Sequence, residues 1–454
     1  MQNSHPIIII GAGLTGLTTA FHLVKRGKKV LILEKNDRIG GQIQTLQKDG
    51  FVFETGPNTG SVSHPEVTEL FTALSPACEL ETADESAKRR LIWKDGRFLE
   101  LPGGLLSGIT TPIITWKDKF RILGEPFRPK GTNPDESVAE LALRRLGKSY
   151  VDYCVDPFIS GIYAGDPERL VTRYALPKLY NLEQNYGSFI KGTIAKAKEP
   201  KTERDRLATK KVFSARGGLS NLTAALADAI GRENILLSVS SLTIQPVENH
   251  WQVIYSTPEG EKRLQAEKVI TTVGASVLPE ILPFIDRMEM DKITGLRYAQ
   301  IVQVAVGMKN TQGLRFNAFG GLIPSREKKD LLGILFPAAC FSGRAPEKGM
   351  TFSFFIGGVK AGQLTELSDK GIENIVVREF HEMLRFPANV EPDMIYIARH
   401  AHAIPQYEKS TGERLETIEK LQNRYPGLIL AGNIRNGISM ADRILQGTTI
   451  AGEI

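Results

Sequence analysis

The chain has 454 residues and a formal net charge of +6 at pH 7. Its length exceeds what one hydrophobic core holds and predicts two or three domains. The modest positive charge suits an acidic substrate or an anionic membrane surface. The basic residues are scattered, with no finger, homeodomain or RNP-like motif, and this pattern argues against nucleic-acid binding.

Three widely separated cysteines, Cys78, Cys154 and Cys340, form no CxxC pair, and no histidine cluster has the spacing of metal ligands. This pattern argues against a disulfide framework or a metal site and favours a reducing compartment. No basic segment with an apolar core and a cleavage site precedes the first predicted strand. We therefore expect a cytoplasmic protein.

The first predicted element is a buried parallel strand at residues 7–10, which leads directly into Gly11-Ala12-Gly13-Leu14-Thr15-Gly16. Gly11 permits a tight turn, and Gly13 lets the backbone approach a pyrophosphate without a Cβ in the way. Gly16 lets the next helix pack closely on the strand. These features are typical of a dinucleotide-binding unit.

The predicted helix covers residues 15–26 and ends at Gly27. Its N-terminus offers free N–H groups and a partial positive charge to phosphates. A second strand, at residues 30–33, leads to Glu34 and Lys35. Glu34 is placed to hold the ribose hydroxyls of a dinucleotide.

A second glycine pair follows in Arg38-Ile39-Gly40-Gly41. The glycines bring main chain close to the cofactor, and Arg38 offers a second cation to the pyrophosphate. An ordinary Gly-Gly turn with a solvated arginine is the alternative. Together, the two glycine motifs resemble the opening of FAD-dependent oxidoreductases of the amine oxidase and phytoene desaturase kind.

Residues 101–116 carry no charge, but prolines and glycines interrupt them and they are too short to span a bilayer. Behind them, cations alternate with apolar residues: Lys117, Lys119, Arg121, Arg128 and Lys130 lie among Phe120, Ile122, Leu123 and Phe127. Such a segment can rest among lipid headgroups or pack on its own domain, and both interpretations stay open.

The remaining pattern alternates between helices and strands. Helices are predicted at 137–146, 171–197 and 220–230, an exposed loop at 196–211, and strands at 235–237, 251–255, 269–273 and 428–430. The last strand runs into Ala431-Gly432-Asn433 and then into a helical tail. The tail's first N–H groups can face the cofactor, so the cofactor domain is predicted to be discontinuous.

The segment from Asp156 to Leu170, DPFISGIYAGDPERL, resembles the central motif of oxygen-dependent protoporphyrinogen oxidases. Other segments follow in family order: Glu54 to Asn58, Phe213 to Gly218, Leu322 to Ser325, Gly333 to Phe336, Phe355 to Gly358 and Gly432 to Ser439. The resemblance covers essentially the whole chain.

The resemblance implies a fold of mixed α/β and α+β class with three domains. A discontinuous Rossmann-like FAD-binding domain is expected at residues 1–77, 210–274 and 427–454. A mixed-sheet substrate domain is expected at 78–99 and 275–426, and a helical, membrane-associating domain at 100–209.

The implied reaction is oxidation of protoporphyrinogen IX to protoporphyrin IX in haem biosynthesis. Three two-electron steps each deliver a hydride to flavin N5, and O2 reoxidises the flavin and yields H2O2. No catalytic side chain and no metal are expected. Residues 432–454 contain no cysteine, so FAD is expected to be held noncovalently. A homodimer, a peripheral position on the cytoplasmic face of a membrane, and a hand-off of product to the next enzyme are compatible with this interpretation.

The resemblance and the glycine motifs assign the cofactor to residues from both ends of the chain: Gly11, Ala12, Gly13, Leu14, Thr15, Gly16, Glu34, Lys35, Arg38, Gly40, Gly41, Gly56, Pro57, Asn58, Gly432, Asn433, Gly437, Ile438, Ser439 and Met440. No catalytic role is expected for His400, because alternating histidines on a strand are more often hydrogen-bonded structure.

Five further residues are implied to contact the substrate. Leu322 and Leu335 are expected to contact one side of the macrocycle and Phe355 the other. Gly161 is expected near the ring nitrogens, and Arg90 is expected to pair with a propionate, with Arg89 as its rival. Without the resemblance, the two leucines and the phenylalanine would be assigned to the core.

Three alternatives stay open. The substrate can be coproporphyrinogen III, whose four carboxylates would suit a more basic pocket. A related amine oxidase or carotene-type desaturase is disfavoured by the motif at residues 156–170. A flavin-free carrier or escort protein is disfavoured by the intact glycine motifs and Glu34.

Overall fold

The computed structural model describes residues 6–103, 107 and 110–454. A five-stranded parallel sheet draws its strands from three separate parts of the chain. In spatial order they are Ile235–Leu236, Val30–Leu33, Ile7–Ile10, Lys268–Thr271 and Leu428–Leu430. Ile7 and Ile9 face one hydrophobic cluster, whereas Ile8 and Ile10 face another. The first strand is therefore buried on both faces, as its apolar run predicts.

Helices cover one face of this sheet, and a second sheet covers the other. The helical layer consists of Leu14–Lys25, Pro65–Leu74, Ser220–Ile230 and Met440–Gly452. The opposite layer consists of the antiparallel strands Ser240–Val247, His250–Thr257 and Gly260–Ala266 with the helices Leu278–Ile281, Arg287–Thr294 and Thr411–Arg424. The predicted discontinuous Rossmann-like architecture is confirmed.

A mixed sheet of seven strands forms the second large unit. Its order is Met394–Pro405, Tyr298–Met308, Met350–Gly357, Gly333–Leu335, Gly320–Leu322, Arg90–Lys94 and Arg97–Glu100. All neighbours are antiparallel except Gly320–Leu322 and Arg90–Lys94, which are parallel. The Asp369–Leu384 helix and a phenylalanine-rich core cover one face. The other face is turned towards the cavity described below.

Short elements connect the two large sheets. They are the hairpin Thr45–Lys48 and Phe51–Glu54, the small sheet Gly60–Ser61, Val212–Ala215 and Leu80–Thr82, and the helix Pro337–Cys340. Leu80–Thr82 was predicted to lie in the substrate domain, but it pairs with Val212–Ala215 of the cofactor domain. We therefore propose the predicted domain bounds with one change: the first segment of the FAD-binding domain ends after Thr82 instead of after residue 77.

The third unit, within residues 110–206, is helical. Its helices are Trp116–Leu123, Val138–Arg145, Lys148–Tyr150, Asp156–Ile162, Thr172–Ala175, Pro177–Tyr186, Phe189–Lys198 and Glu203–Arg206. The exposed loop predicted at 196–211 is wrong in part. Thr202 and Asp205 form a reciprocal capping box that begins the last helix.

A π-helical turn, Val151–Val155, leads into the helix Asp156–Ile162. Pro157 has no N–H to donate to the carbonyl of Tyr153, so an ordinary α-helical turn cannot continue there. Arg145 and Glu125, both fully buried, hold this unit together through an ion pair of 2.9 Å, and Glu183 also binds Arg145.

The helix Trp116–Leu123 exposes three of its large apolar side chains. Trp116, Phe120 and Leu123 share one face and are 61%, 68% and 72% exposed, and the nearby Phe127 is 86% exposed. Packing on its own domain, one of the two predicted interpretations, is therefore wrong for these side chains. Within the described residues, no helix combines the length and apolar character that crossing a membrane requires. Residues 104–106 and 108–109 of the charge-free segment lie outside the described residues.

Candidate active site

One cavity of about 1800 Å³ extends from the parallel sheet to the open face of the seven-stranded sheet. Most of the predicted site residues line it: Gly11, Gly13, Leu14, Thr15, Glu34, Lys35, Gly40, Gly41, Gly56, Pro57, Asn58, Arg90, Gly161, Leu322, Leu335, Phe355, Gly432, Asn433, Ile438, Ser439 and Met440. Ala12, Gly16, Arg38 and Gly437 do not line it. The cofactor and substrate residues thus share one continuous space.

The first glycine motif shapes the nucleotide end of the cavity. Gly11 has φ +104°, and a Cβ there would lie 2.8 Å from Thr272 Oγ1. A Cβ on Gly16 would overlap the carbonyl oxygen of Gly11, so Gly16 serves helix packing. A Cβ on Gly13 would meet no protein atom within 4 Å, so Gly13 borders open space.

Glu34 is a nearly buried carboxylate at the carboxyl end of its strand. The Ala12 N–H donates to Glu34 Oε2 at 2.7 Å, and the Asn36 backbone and side chain donate to Oε1 at 2.9 and 2.7 Å. Ala12 therefore orients Glu34 instead of lining the cavity. The carboxylate is held in place for the predicted contact with ribose hydroxyls.

Arg38 does not occupy the predicted position near the cofactor. Its guanidinium donates to the carbonyls of Gly41 at 2.8 Å and Ile43 at 3.2 Å, within its own loop. The prediction of a pyrophosphate cation at Arg38 is therefore corrected. The arginine shapes the turn that carries Gly40 and Gly41, because a guanidinium offers several donors to nearby carbonyls.

The C-terminal motif closes the cofactor end from the opposite side. Gly432 has φ +85°, and its N–H donates to Gln446 Oε1 at 2.9 Å. Gly437, which lies outside the lining, donates to Tyr407 Oη at 2.8 Å and so fixes the loop. Ser439 and Asp442 form a capping box that begins the helix Met440–Gly452. Its N-terminal turn meets the cavity beside the first glycine motif.

The substrate end is built on three adjacent strands. Phe355 pairs with Gly333, and Gly333 pairs with Leu322, so these residues share one face of the sheet. Leu335 lies on the same face, two residues beyond Gly333. Since Leu322, Leu335 and Phe355 lie on one face of the sheet, they can contact opposite sides of a flat macrocycle only if its ring stands on edge against that face. The predicted arrangement requires this orientation.

Gly161 and Leu322 are neighbours in the lining of the cavity. Gly161 lies on the helix Asp156–Ile162, which Asp156 fixes to the sheet side through Ser325 Oγ at 2.8 Å and Lys360 Nζ at 2.6 Å. A Cβ on Gly161 would overlap Leu322 Cδ2. The helix and the sheet therefore approach so closely that any side chain at this position would displace the end of Leu322.

Gly161→Ala is expected to displace the end of the Leu322 side chain into the cavity. Because a leucine methyl can move, we expect a folded protein whose KM for the macrocycle implied by the resemblance rises roughly 3- to 10-fold. FAD affinity should not change. Steady-state kinetics and a flavin titration measure the two effects, and an unchanged KM would contradict the assigned contact.

Arg90 and Arg89 point to different surroundings. Arg90 lines the cavity, and its guanidinium lies 5.4 Å from the centre of the Phe319 ring. No carboxylate among the described residues forms an ion pair with it. Arg89 lies outside this cavity, and its Nε binds Glu100 at 2.7 Å. The available cation is therefore Arg90, and we propose it as the propionate partner.

The lining also includes many residues that the sequence did not assign to the site, among them Val239, Gln303, His402 and Arg443. Gln303 faces the cavity beside Phe355 and donates to the Glu54 carbonyl at 2.7 Å. His400 also lines the cavity, and its Nε2 lies 2.5 Å from the Thr55 carbonyl oxygen, the structural role expected of it. Of these four, Arg443 carried a usable signal, because it is a cation in the first turn of a helix, where the dipole disfavours it.

The residues present fit a flavin dinucleotide. Gly13 leaves room for a pyrophosphate, Glu34 offers a fixed carboxylate, and a buried Nε of Arg443 has no acceptor. Two helix N-termini, at Leu14 and Met440, meet the same space. The fold and the site define a protein that binds a dinucleotide.

Comparison with known proteins agrees with this class. Residues 14–454 match the family described as flavin containing amine oxidoreductase. The chain belongs to this family, and its cofactor is FAD, as the glycine motifs predict.

The most informative relatives act in tetrapyrrole chemistry by name. Protoporphyrinogen oxidase 2, chloroplastic/mitochondrial, of Arabidopsis thaliana is 28% identical over 475 residues, which cover 98% of this chain and 92% of the relative. Coproporphyrinogen III oxidase of Bacillus subtilis is 26% identical over 463 residues, 97% of this chain and 96% of the relative. The predicted resemblance to protoporphyrinogen oxidases is confirmed.

A solved structure shows the same fold. The crystal structure of a provisionally named protoporphyrinogen oxidase from Exiguobacterium sp. 255-15 superimposes with a TM-score of 0.82 at 22% identity. The superposition covers 100% of this chain and 99% of that protein. The predicted fold class is therefore confirmed over the full length.

Proposed function

We propose that this chain oxidises protoporphyrinogen IX to protoporphyrin IX in haem biosynthesis, with O2 as acceptor and H2O2 as by-product. The observation that carries the proposal is the continuous cavity, which joins the glycine motifs to an apolar compartment with one arginine. A flat, largely apolar macrocycle with acidic side chains matches such a compartment in shape and polarity. The relatives of Arabidopsis and Bacillus support a porphyrinogen substrate.

The chain's own residues bind and orient the substrate in this proposal. Arg90 holds a propionate at the edge of the compartment, because a guanidinium can donate two parallel hydrogen bonds to a carboxylate. Leu322, Leu335 and Phe355 hold the ring on edge and exclude water from it. When bound, FAD accepts hydride at flavin N5 and is reoxidised by O2. No residue is assigned as the base that accepts the proton lost with each hydride.

The distribution of charge favours protoporphyrinogen IX over coproporphyrinogen III. Among the described residues that line the cavity, the lysines and arginines are Lys35, Arg90 and Arg443. Lys35 follows the ribose carboxylate, and Arg443 lies in the C-terminal cofactor motif. Arg90 is left for the substrate end. One cation suits a substrate with two carboxylates better than a substrate with four.

A side-by-side oxidation assay of the two porphyrinogens tests this proposal. Porphyrin fluorescence measures the product, and a peroxidase-coupled dye measures H2O2 in the same sample. We expect a higher kcat/KM for protoporphyrinogen IX, with one H2O2 formed for each two-electron step. A preference for coproporphyrinogen III would overturn the substrate assignment, and no oxidation of either would overturn the function.

We further propose that the protein sits peripherally on the cytoplasmic face of a membrane. The apolar face of Trp116, Phe120, Leu123 and Phe127 is exposed, and the nearby Lys117 and Lys130 are exposed as well. Apolar anchors beside cations suit an anionic headgroup surface. That the protein forms a homodimer, and that it hands its product to the next enzyme, remain predictions.

Replacing Phe120 and Phe127 together by serine is expected to weaken binding to anionic phospholipid vesicles by at least about tenfold, because two aromatic anchors are lost. Vesicle sedimentation measures the bound fraction. Met288→Ser is the matched control, since Met288 is 74% exposed on a different helix. Equal binding by the double variant and the control would contradict the proposed surface.

A further inference from the structure

Arg443 lies in the first turn of the helix Met440–Gly452 and lines the cavity beside the cofactor motifs. A cation at this end of a helix is unfavourable, because the helix dipole presents positive charge there. The position therefore needs a compensating interaction.

The protein atoms that bind the Arg443 guanidinium are all uncharged. Nη1 donates to the Gly432 carbonyl and, at 3.1 Å, to Gln446 Oε1. Nη2 donates to the carbonyls of Arg435 at 2.9 Å, Asn436 at 2.7 Å and Gly437 at 2.9 Å. These contacts hold the loop before the helix, but they supply no negative charge.

No carboxylate of the described residues forms an ion pair with Arg443. The neighbouring Asp442 is engaged elsewhere, with Ser439 N at 2.9 Å, Ser439 Oγ at 2.7 Å and His64 Nε2 at 3.2 Å. Burial lowers the pKa of Arg443 from its usual value, and the Arg443 Nε has no acceptor. Arg443 is partly buried, and Asp442, whose charge opposes this shift, forms no ion pair with the guanidinium, so an anionic ligand would stabilise the cation.

The guanidinium also lies close to the first glycine motif. Gln446 Oε1, which accepts from Arg443, is 3.4 Å from Thr15 Oγ1. Thr15 is the second residue of the helix Leu14–Lys25, whose N-terminus is where a dinucleotide diphosphate is expected. Arg443 and Thr15 thus approach the same part of the cavity from opposite ends of the chain.

We propose that Arg443 is the cation that neutralises the diphosphate of FAD. This is the role that the sequence analysis gave to Arg38, whose guanidinium is directed into its own loop. An arginine is suited to this role, because a planar guanidinium can bind carbonyls and phosphate oxygens simultaneously. The inference depends on the FAD cofactor and not on the identity of the porphyrinogen.

The test uses the full-length protein after removal of FAD, with ADP and adenosine as probes. ADP carries the diphosphate and adenosine lacks it. Arg443→Gln is expected to weaken ADP binding roughly 30-fold and to leave adenosine binding unchanged, since one partner of a charged contact is lost. Titration calorimetry gives both dissociation constants. Arg435→Gln is the matched control, because it removes a cation of the same loop that does not line the cavity, and it should change neither constant.

Equal losses of ADP and adenosine binding in Arg443→Gln would show that Arg443 only shapes the loop and would overturn the proposal. Unchanged ADP binding in Arg443→Gln would also overturn it. Circular dichroism first establishes that the variant is folded. If it is not, Arg443→Lys, which keeps the charge, must retain the preference for ADP over adenosine, and loss of that preference overturns the proposal. Porphyrinogen is absent throughout, so the outcome is independent of the proposed reaction.

Discussion

Gly13→Ala is expected to give a folded protein that binds FAD more weakly than the wild type. Gly13 has ordinary backbone angles, with φ −76° and ψ 176°, and a Cβ there would touch no protein atom within 4 Å. The added methyl would instead occupy space needed by the pyrophosphate. Overpacking of this kind costs about 1–3 kcal/mol, which corresponds to a roughly 5- to 150-fold weaker FAD affinity. Flavin fluorescence measures the affinity, and thermal unfolding of the FAD-free protein measures the fold.

Gly16→Ala is the informative partner of this variant. A Cβ on Gly16 would overlap the Gly11 carbonyl oxygen, which belongs to the backbone and cannot move aside easily. We therefore expect a destabilised FAD-free protein, in contrast to Gly13→Ala. If Gly13→Ala binds FAD as tightly as the wild type, the first glycine motif does not form the pyrophosphate site.

The second large effect is expected for Arg90→Ala. Arg90 is the cation proposed to hold a substrate carboxylate, and a hydrogen bond to a charged group is worth about 1.5–3 kcal/mol. We expect KM for protoporphyrinogen IX to rise about 10- to 100-fold, because each 1.4 kcal/mol is about tenfold. FAD affinity should stay unchanged, since the substitution is remote from the glycine motifs. Steady-state kinetics and flavin titration separate these effects.

Arg89→Ala is the control for this prediction. Arg89 is the neighbouring arginine, and its Nε pairs with Glu100 at 2.7 Å with both side chains about half exposed. Exposed pairs of this kind contribute little to stability. We expect a KM close to that of the wild type. An unchanged KM in Arg90→Ala together with a raised KM in Arg89→Ala would reverse the assignment.

Local sequence patterns predicted the elements that begin and end the cofactor site. The apolar run at Ile7–Ile10 and the glycines after it define a strand, a turn and a helix within a few residues of chain. Glu34 could be placed because it follows a second apolar run directly. These features depend on neighbouring residues and on backbone geometry, which a sequence displays.

Long-range features of the site could not be predicted in the same way. Arg38 and Arg443 are both arginines beside glycine motifs, and only the three-dimensional structure shows which guanidinium meets the cavity. The strands that carry Leu322 and Leu335 have three residues each, too few for a period to reveal their inner face. Their register with Phe355 comes from the pairing of distant segments.

The candidate substrate residues were identified from the resemblance to protoporphyrinogen oxidases, because the periodicity of the sequence could not identify them. Arg90 follows Lys88 and Arg89 in a run that would ordinarily be solvated. The structure separates its members, since Arg90 begins a strand of the seven-stranded sheet and lines the cavity. A charge run alone gives no such distinction.

Anaerobic mixing of the FAD-loaded protein with protoporphyrinogen IX tests the central claim most directly. We predict that the absorbance of oxidised flavin falls on mixing, because each flavin accepts the two electrons of one step. Admitting O2 should then restore the flavin spectrum, with formation of H2O2 and of porphyrin. A folded, FAD-loaded protein whose flavin spectrum does not change on mixing would contradict the account.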